Sequence, residues 1–430
     1  MTGCDISDQL AERILSGEET SNFSICDSYK FTDIDDLHEA FTDDEIHQAF
    51  LEHYVRLNST ELSDLAHHPM DTIKACFLMG IVTDQCKRIM DMKETTRVFT
   101  PRYGVCYLYN FERLNSEVEP DGVGSSGPDY GLKLVMDVQG LSYMRYGLSP
   151  TNGIQITLND PNAMPMILSK PIKIAPNIQT DIKLLKKVVT RQPYPYVTDC
   201  TNEYPLEYQA DPTYDFVNMN YDEEHCKAIC RLSYVHKNCG CLDLLLMEGN
   251  FLDLTHLDNL TFCNVIIDSV QRDCSITMMR ESAKGQGNCP CKPACYVQSY
   301  SYTKSETVWP SDQYWGIVAE DLGITYKGQK ITYKDQRATE LSGGIDEGYN
   351  QIKNLVQNNL MEVTIYYGSL NVEEINEVPE FTFLTFLSDL GGALSLYLGI
   401  CFIQVFEVLE LCIKLVWYAI SKILFVNFDL

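Results

Sequence analysis

Near its C-terminus the chain sets small and ionisable residues at regular intervals inside an apolar run. Gly391, Ser395 and Gly399 recur every four residues, a stripe that lets helix backbones approach closely. Such a stripe serves either as the dimer seam of a single-pass receptor or as the crowding surface of several helices around one axis. Asp389, Ser395, Gln404, Glu407 and Glu410 punctuate the same run, and ionisable groups at membrane depth usually face a water-filled path. Gly399 adds a third property, because glycine relaxes a helix and frees backbone carbonyls, the groups that replace a cation's hydration shell in a narrow filter. The polar content tips the reading toward a cation pore and away from a receptor anchor.

The cysteines carry a second kind of chemistry. Of 17, ten fall between Cys200 and Cys295, a density typical of oxidising extracellular surroundings. Asn22, Asn58 and Asn259 each open an acceptor sequon, which agrees with exposure outside the cell. Residues 221–238 read as a helix with Cys226 and Cys230 on one face, and Cys289 and Cys291, two apart, share a face of an extended piece. Laid antiparallel, these would join Cys226 with Cys291 and Cys230 with Cys289, although spacing alone leaves other connectivities open. Zinc is disfavoured because no histidine spacing accompanies the cysteines, and His67 and His68 read as a solvated surface turn. No metal or cofactor is expected. HExxH, GxSxG and a Gly-rich phosphate loop are absent from the sequence, so an enzyme is not expected either. The net charge of -27 excludes a nucleic-acid backbone as partner and suits a surface that gathers cations, or simply a solvated acidic face.

These groups need elements to hold them. With 430 residues and 45% apolar content, the chain can bury a core of two to three modules. Residues 1–75 are acidic and partly helical, with Leu37, Phe41, Ile46 and Phe50 placed to line an apolar face. Between residues 99 and 197 the segments GVCYLYNF, GLKLVMDV, GIQITLND and KPIKIAP read as antiparallel strands between Gly, Pro and Asn punctuation. In LMEVTIYYGSL, Val363, Ile365 and Tyr367 alternate with polar or aromatic neighbours, and only the acidic link NVEEINEVPE separates this strand from residues 384–426. That last stretch is the one membrane-length segment, with 17 uncharged residues between Asp389 and Glu407, about 26 Å as a single helix. Lys414 and Lys422 behind it put the C-terminus in the cytoplasm. The opening residues contain no basic start and no apolar run, so a preceding membrane helix or signal is expected to be missing from this sequence.

Four motifs then carry a resemblance. FLSDLGGALSLYLGICFIQVFEVLE resembles the second membrane helix of the degenerin, epithelial sodium channel and acid-sensing ion channel family. VTIYYGSLNVEE resembles that family's palm strand, RYGVCYLYN its entry from finger to ball, and CPCKPACYVQSYSYTKSETVWPS its Cys-rich thumb exit. The resemblance covers residues from about 76 to 411.

It implies an α+β fold: a disulfide-rich extracellular domain of finger, thumb, palm, knuckle and β-ball with an antiparallel β core, plus one C-terminal transmembrane helix. Residues 1–100 would form the N-terminal palm strand and helical finger, 101–199 the β-ball and palm strands, and 200–296 the thumb. Residues 297–383 would be palm strands with a helical knuckle, 384–426 the pore-lining helix, and 427–430 a cytoplasmic tail. The family's Gly-x-Ser filter falls on Gly399, Ile400 and Cys401, with cysteine where serine is expected. Ser395 falls at the amiloride-type blocker position, Asp389 at the outer mouth, Ser388 at the gating position, and Glu407 and Glu410 in the inner pore. The family's pairing would bridge Cys200–Cys295, Cys226–Cys291, Cys230–Cys289, Cys239–Cys274, Cys241–Cys263, Cys76–Cys86 and Cys4–Cys106, leaving Cys26 without a partner. The implied function is a trimeric plasma-membrane channel for sodium ions, built from identical or related subunits. The alternative is a non-conducting cell-surface protein lacking the first membrane helix.

Overall fold

The computed structural model describes residues 66–81, 86, 89, 96–100, 103–109, 122–140, 151–166, 171–209, 219–243, 246, 261–263, 269–285, 289–326, 329–330, 347–399 and 402–426. The chain divides into two compact units, Met1–Asn376 and Glu377–Leu430. The strands of the first are β1 (Ile73–Leu78), β2 (Thr96–Thr100), β3 (Gly104–Leu108), β4 (Leu132–Asp137), β5 (Ile154–Ile156), β6 (Ile172–Ile174), β7 (Ile178–Thr190), β8 (Tyr296–Val308), β9 (Thr325–Tyr326), β10 (Gln329–Lys330), β11 (Leu360–Tyr367) and β12 (Glu373–Asn376). Its longer helices are α1 (Glu223–Cys239), α2 (Ser269–Ala283), α3 (Trp315–Asp321) and α4 (Glu347–Asn359). The second unit holds α5 (Phe383–Leu398) and α6 (Phe402–Val426). The fold is mixed α+β.

One six-stranded sheet organises the first unit, in the order β1-β4-β11-β7-β12 with β8 also paired to β7. The expected antiparallel pairing holds for β1–β4, β4–β11 and β7–β8, but the sheet is mixed, because β11 and β12 both run parallel to β7. The reason lies in the thirteen-residue length of β7. β8 pairs along it from Ile178 to Thr190, so β11 and β12 share the opposite edge, at Gln179–Leu184 and Lys187–Thr190 respectively. The segment between them continues forward instead of reversing, and the Gly368 N–H donates to the Leu184 carbonyl at 3.0 Å on the way. The acidic link ahead of the C-terminal helices therefore contains a paired strand.

Alternation in β11 sorts its side chains between two faces. Met361 and Val363 are fully buried with Leu134, Met136 and Ile182, each contributing about 1.5–3 kcal/mol by removal from water. Glu362, on the other face, is also buried, and its carboxylate meets Lys133 Nζ at 2.7 Å. β5 and β6 pack over the apolar face through Ile154, Ile172 and Ile174. Gly153 makes that hairpin possible: its φ is +153°, and a Cβ there would lie 2.4 Å from the Ile174 carbonyl oxygen.

The cystine-rich part is built on α1. Asp222 caps its start by accepting from the His225 N–H at 2.9 Å, and Gly240 ends it in the left-handed region. Cys226 and Cys230 lie on the buried face beside Ile229 and Leu232, and residues 289–291 run past them. The structure bridges Cys226–Cys291 and Cys230–Cys289 as nested rungs, ties α1 to α2 by Cys239–Cys274, and adds Cys241–Cys263 and Cys200–Cys295. Cys76–Cys86 closes inside the core under the sheet.

Two expectations change. The seventh bridge is not formed: Cys106 is a free, buried thiol facing the Thr100 hydroxyl at 3.7 Å, and burial pushes the thiol's pKa up. Cys4 and Cys26 lie outside the described residues. His67 is buried instead of solvated, donating from Nδ1 to Gln139 Oε1 while its carbonyl accepts from the Tyr107 hydroxyl at 2.9 Å. The strand through β3 and the loop after β4 supply those partners, and neither is near His67 in sequence. The amphipathic stretch with Leu37, Phe41, Ile46 and Phe50 and the sequons at Asn22, Asn58 and Asn259 lie outside the described residues.

Candidate functional site

The second unit is where the sequence concentrates pore chemistry. α5 starts at Thr382, whose side chain accepts from the Thr385 N–H at 3.1 Å. It ends at Gly399, which adopts φ 65° and ψ 15°, with its N–H returned to the Leu394 and Ser395 carbonyls. A left-handed residue cannot continue a right-handed helix, and α6 starts afresh at Phe402. The expected single membrane segment over residues 384–426 is thus two helices with a break at Gly399. By the standard rise they measure about 24 Å and about 38 Å.

Neither helix by itself is both long and apolar enough to cross a membrane, among the described residues. α5 has only 16 residues, and α6 is interrupted by Glu407, Glu410 and Lys414. These are three of its four charges, Lys422 lying near its end, and the three are not scattered. At 100° per residue they fall within one narrow stripe of α6, and Lys414 Nζ meets Glu410 Oε1 at 2.6 Å across one turn. Gln404 and Lys422 lie beside that stripe by their spacing, and most of the remaining circumference is apolar, with Ile403, Phe406, Val408 and Trp417 each more than half exposed. Among the described side chains of the two helices none is buried. A surface this apolar marks a partner or a membrane.

On α5, Ser388, Gly392 and Ser395 share one face by their spacing, with Asp389 about a quarter-turn away. Gly391 and Gly392 meet no atoms within 4 Å of an added Cβ, so that face is open for close approach. Gly399 stands at the break, while Ile400 and Cys401 lie outside the described residues. The sequence therefore marked Gly399 as a residue that relaxes a helix while reading one helix through it, and it missed the Glu410–Lys414 pair and the parallel strand β12, which precedes α5 by six residues. An i,i+4 spacing of Glu and Lys was the available signal for the first; nothing local announces the second.

The sequence profile of the amiloride-sensitive sodium channel family matches residues 7–411. Epithelial sodium channel subunit beta of Mus musculus is 25% identical over 368 residues, covering 84% of this chain and 50% of that protein. Subunit gamma of Xenopus laevis is 24% identical over 409 residues, covering 93% and 55%, and subunit alpha of Neoceratodus forsteri is 23% identical over 323 residues, covering 75% and 43%. The chain spans about half the length of these curated relatives. The match runs through the mixed sheet, the cystine rungs and the Gly399 break into α6, and with it the chain belongs to the amiloride-sensitive sodium channel family.

Proposed function

We propose that this chain is a subunit of a trimeric cation channel that conducts sodium across the plasma membrane and is gated through its extracellular, disulfide-stapled unit. The observation that carries the reading is the helix break at Gly399 inside an exposed apolar segment, with Glu407, Glu410 and Lys414 collected on one stripe of α6. At such a break the last carbonyls of α5 lack intrahelical partners, and carbonyl rings are what cation filters are made of. Three copies would bring three breaks around one axis, with the apolar surfaces toward lipid and the Glu407–Glu410 stripe toward water.

In this reading Gly399, Ile400 and Cys401 form the constriction, Ser395 the blocker position and Asp389 the outer mouth. Ser388 packs at the gate, and Glu407 and Glu410 line the inner pore. The five cystines between Cys200 and Cys295 stiffen a thumb over residues 200–296, and the sheet is the palm that carries movement through β11 and β12 to α5. Asn22, Asn58 and Asn259 carry glycans on the outer side. The chemistry is transport, not catalysis.

The test is to express the chain together with whatever its transcript encodes upstream, verify surface delivery, and record currents in sodium and in potassium with and without amiloride. Amiloride-sensitive inward sodium current is expected. Surface-delivered protein that stays silent under protons, peptides and membrane stretch would favour a non-conducting cell-surface protein. Ser388→Phe gives a second reading, since persistent inward current is expected if that residue packs at the gate.

A further inference from the structure

The apolar face of the central sheet is not completely filled. Between it and β5 lies a cavity of about 370 Å³, within the roughly 300–1,000 Å³ of small-molecule sites. Its walls come from β1, β3, β4, β5, β7, β8 and β11, and Leu134, Met136 and Ile154 form the apolar floor. Several polar groups line the cavity too. There Tyr300 and Tyr367 stand with ring centroids 6.5 Å apart, and the Tyr300 hydroxyl accepts from Gln298 Nε2 at 2.8 Å. Asp160 joins them. It is the only charged residue among the described residues that line the cavity. One of its oxygens accepts from the Asn162 N–H at 3.0 Å, and it forms no ion pair with any described residue.

The balance of charge selects the ligand. Burial first, then Tyr367 and the Asp160 carboxylate, hold the Tyr300 phenol far above its ordinary range, so near neutral pH the phenol stays uncharged, and Asp160 is the one acidic residue among the described lining residues, with no basic one beside it. A carboxylate-headed ligand would meet that charge with no cation among the described lining residues to offset it. An ammonium would meet the carboxylate together with the oxygens and faces of two phenol rings.

We infer that this cavity is a binding site for a small hydrophobic organic cation, its ammonium held by Asp160 and the Tyr300–Tyr367 pair and its hydrocarbon body lying on Leu134, Met136 and Ile154. The site belongs wholly to the first unit, so a chain that conducts nothing still tests it. Because β11 supplies part of the wall and leads through β12 to α5, occupancy is also placed to bias the strand nearest the pore helices in sequence.

The full chain in lipid nanodiscs is titrated calorimetrically with 1-naphthylmethylamine, with the neutral 1-naphthalenemethanol and with 1-naphthoate, each corrected for empty discs. The amine is expected to bind saturably and about tenfold more tightly than the alcohol, the ratio expected of one partly desolvated charge contact, with naphthoate weakest. Asp160→Asn keeps the acceptor for Asn162 and should bring the amine down to the alcohol's affinity while leaving the alcohol unchanged. Ile154→Trp should abolish both by filling the space. Amine heats indistinguishable from empty discs would overturn the inference, and so would an amine-to-alcohol ratio that survives Asp160→Asn. Because the asparagine variant decides the matter, a tryptophan variant that fails to fold leaves the test intact.

Discussion

Replacing Gly399 tests whether the break in the C-terminal segment is held by backbone conformation. Its φ of 65° is left-handed, and a Cβ built there meets nothing within 4 Å. No clash therefore contributes, and the whole cost of a side chain is conformational. For an L-residue in that region the cost is about 1–2 kcal/mol, equivalent to a shift of about tenfold between the broken and the continuous helix. Alanine should shift the equilibrium by that factor toward a right-handed continuation through residues 399–402, and valine, stiff at χ1, by more. Asparagine visits the left-handed region readily and should behave much like glycine. The assay is the sodium-to-potassium reversal potential with current normalised to surface protein, alongside the thermal midpoint of the solubilised chain. Currents and selectivity should order as Gly, Asn, Ala, Val. Should Ala and Val match the parent, or Asn prove as damaging as Val, the conformational argument for the break fails.

Three further outcomes follow from the first unit. With Cys230–Cys289 intact, the Cys226–Cys291 rung closes only a short ring, so Cys226→Ser with Cys291→Ser should cost about 2–3 kcal/mol and loss of both rungs about 6 kcal/mol; equal losses in denaturant titration would contradict the nested-ladder account. Lys133→Met should destabilise more than Glu362→Met, because the first strands a buried carboxylate while the second leaves a half-exposed ammonium that water can reach; the reverse order in unfolding free energies would refute it. Burial and then the nearby Glu223 and Asp222 carboxylates raise the Tyr221 phenol to about 12, above an unfolded value of about 10. A raised folded pKa means that this stabilisation is complete below the unfolded value and is lost as pH rises through the folded one. Stability should therefore fall between about pH 10 and 12, less steeply in Tyr221→Phe, and an identical slope in that variant would exclude Tyr221 as a source.

Much of the site was readable because its signals are local. Cys226 and Cys230 are one helical turn apart and Cys289 and Cys291 one strand repeat apart, so their faces follow from backbone periodicity alone. Gly399 is legible for the same reason, since glycine's freedom at positive φ belongs to the residue and needs no neighbour. Oxidising surroundings, acidity and the charged stripe on α6 are likewise written in composition and spacing.

What the tertiary structure decided is partnership. Periodicity tells which face a residue takes but not what lies against that face, so nothing in the sequence announced that β11 and β12 share one edge of β7 in parallel. His67 passed for a solvated residue because Gln139 and Tyr107, which bury and bond it, are 72 and 40 positions away. Cys106 was given a bridge that the fold does not make. The cavity is the clearest case: Cys106, Asp160, Tyr300 and Tyr367 meet around it only because strands from distant parts of the chain pack on one sheet. No window of sequence contains that neighbourhood, because packing free energy depends on contacts that local patterning leaves unspecified.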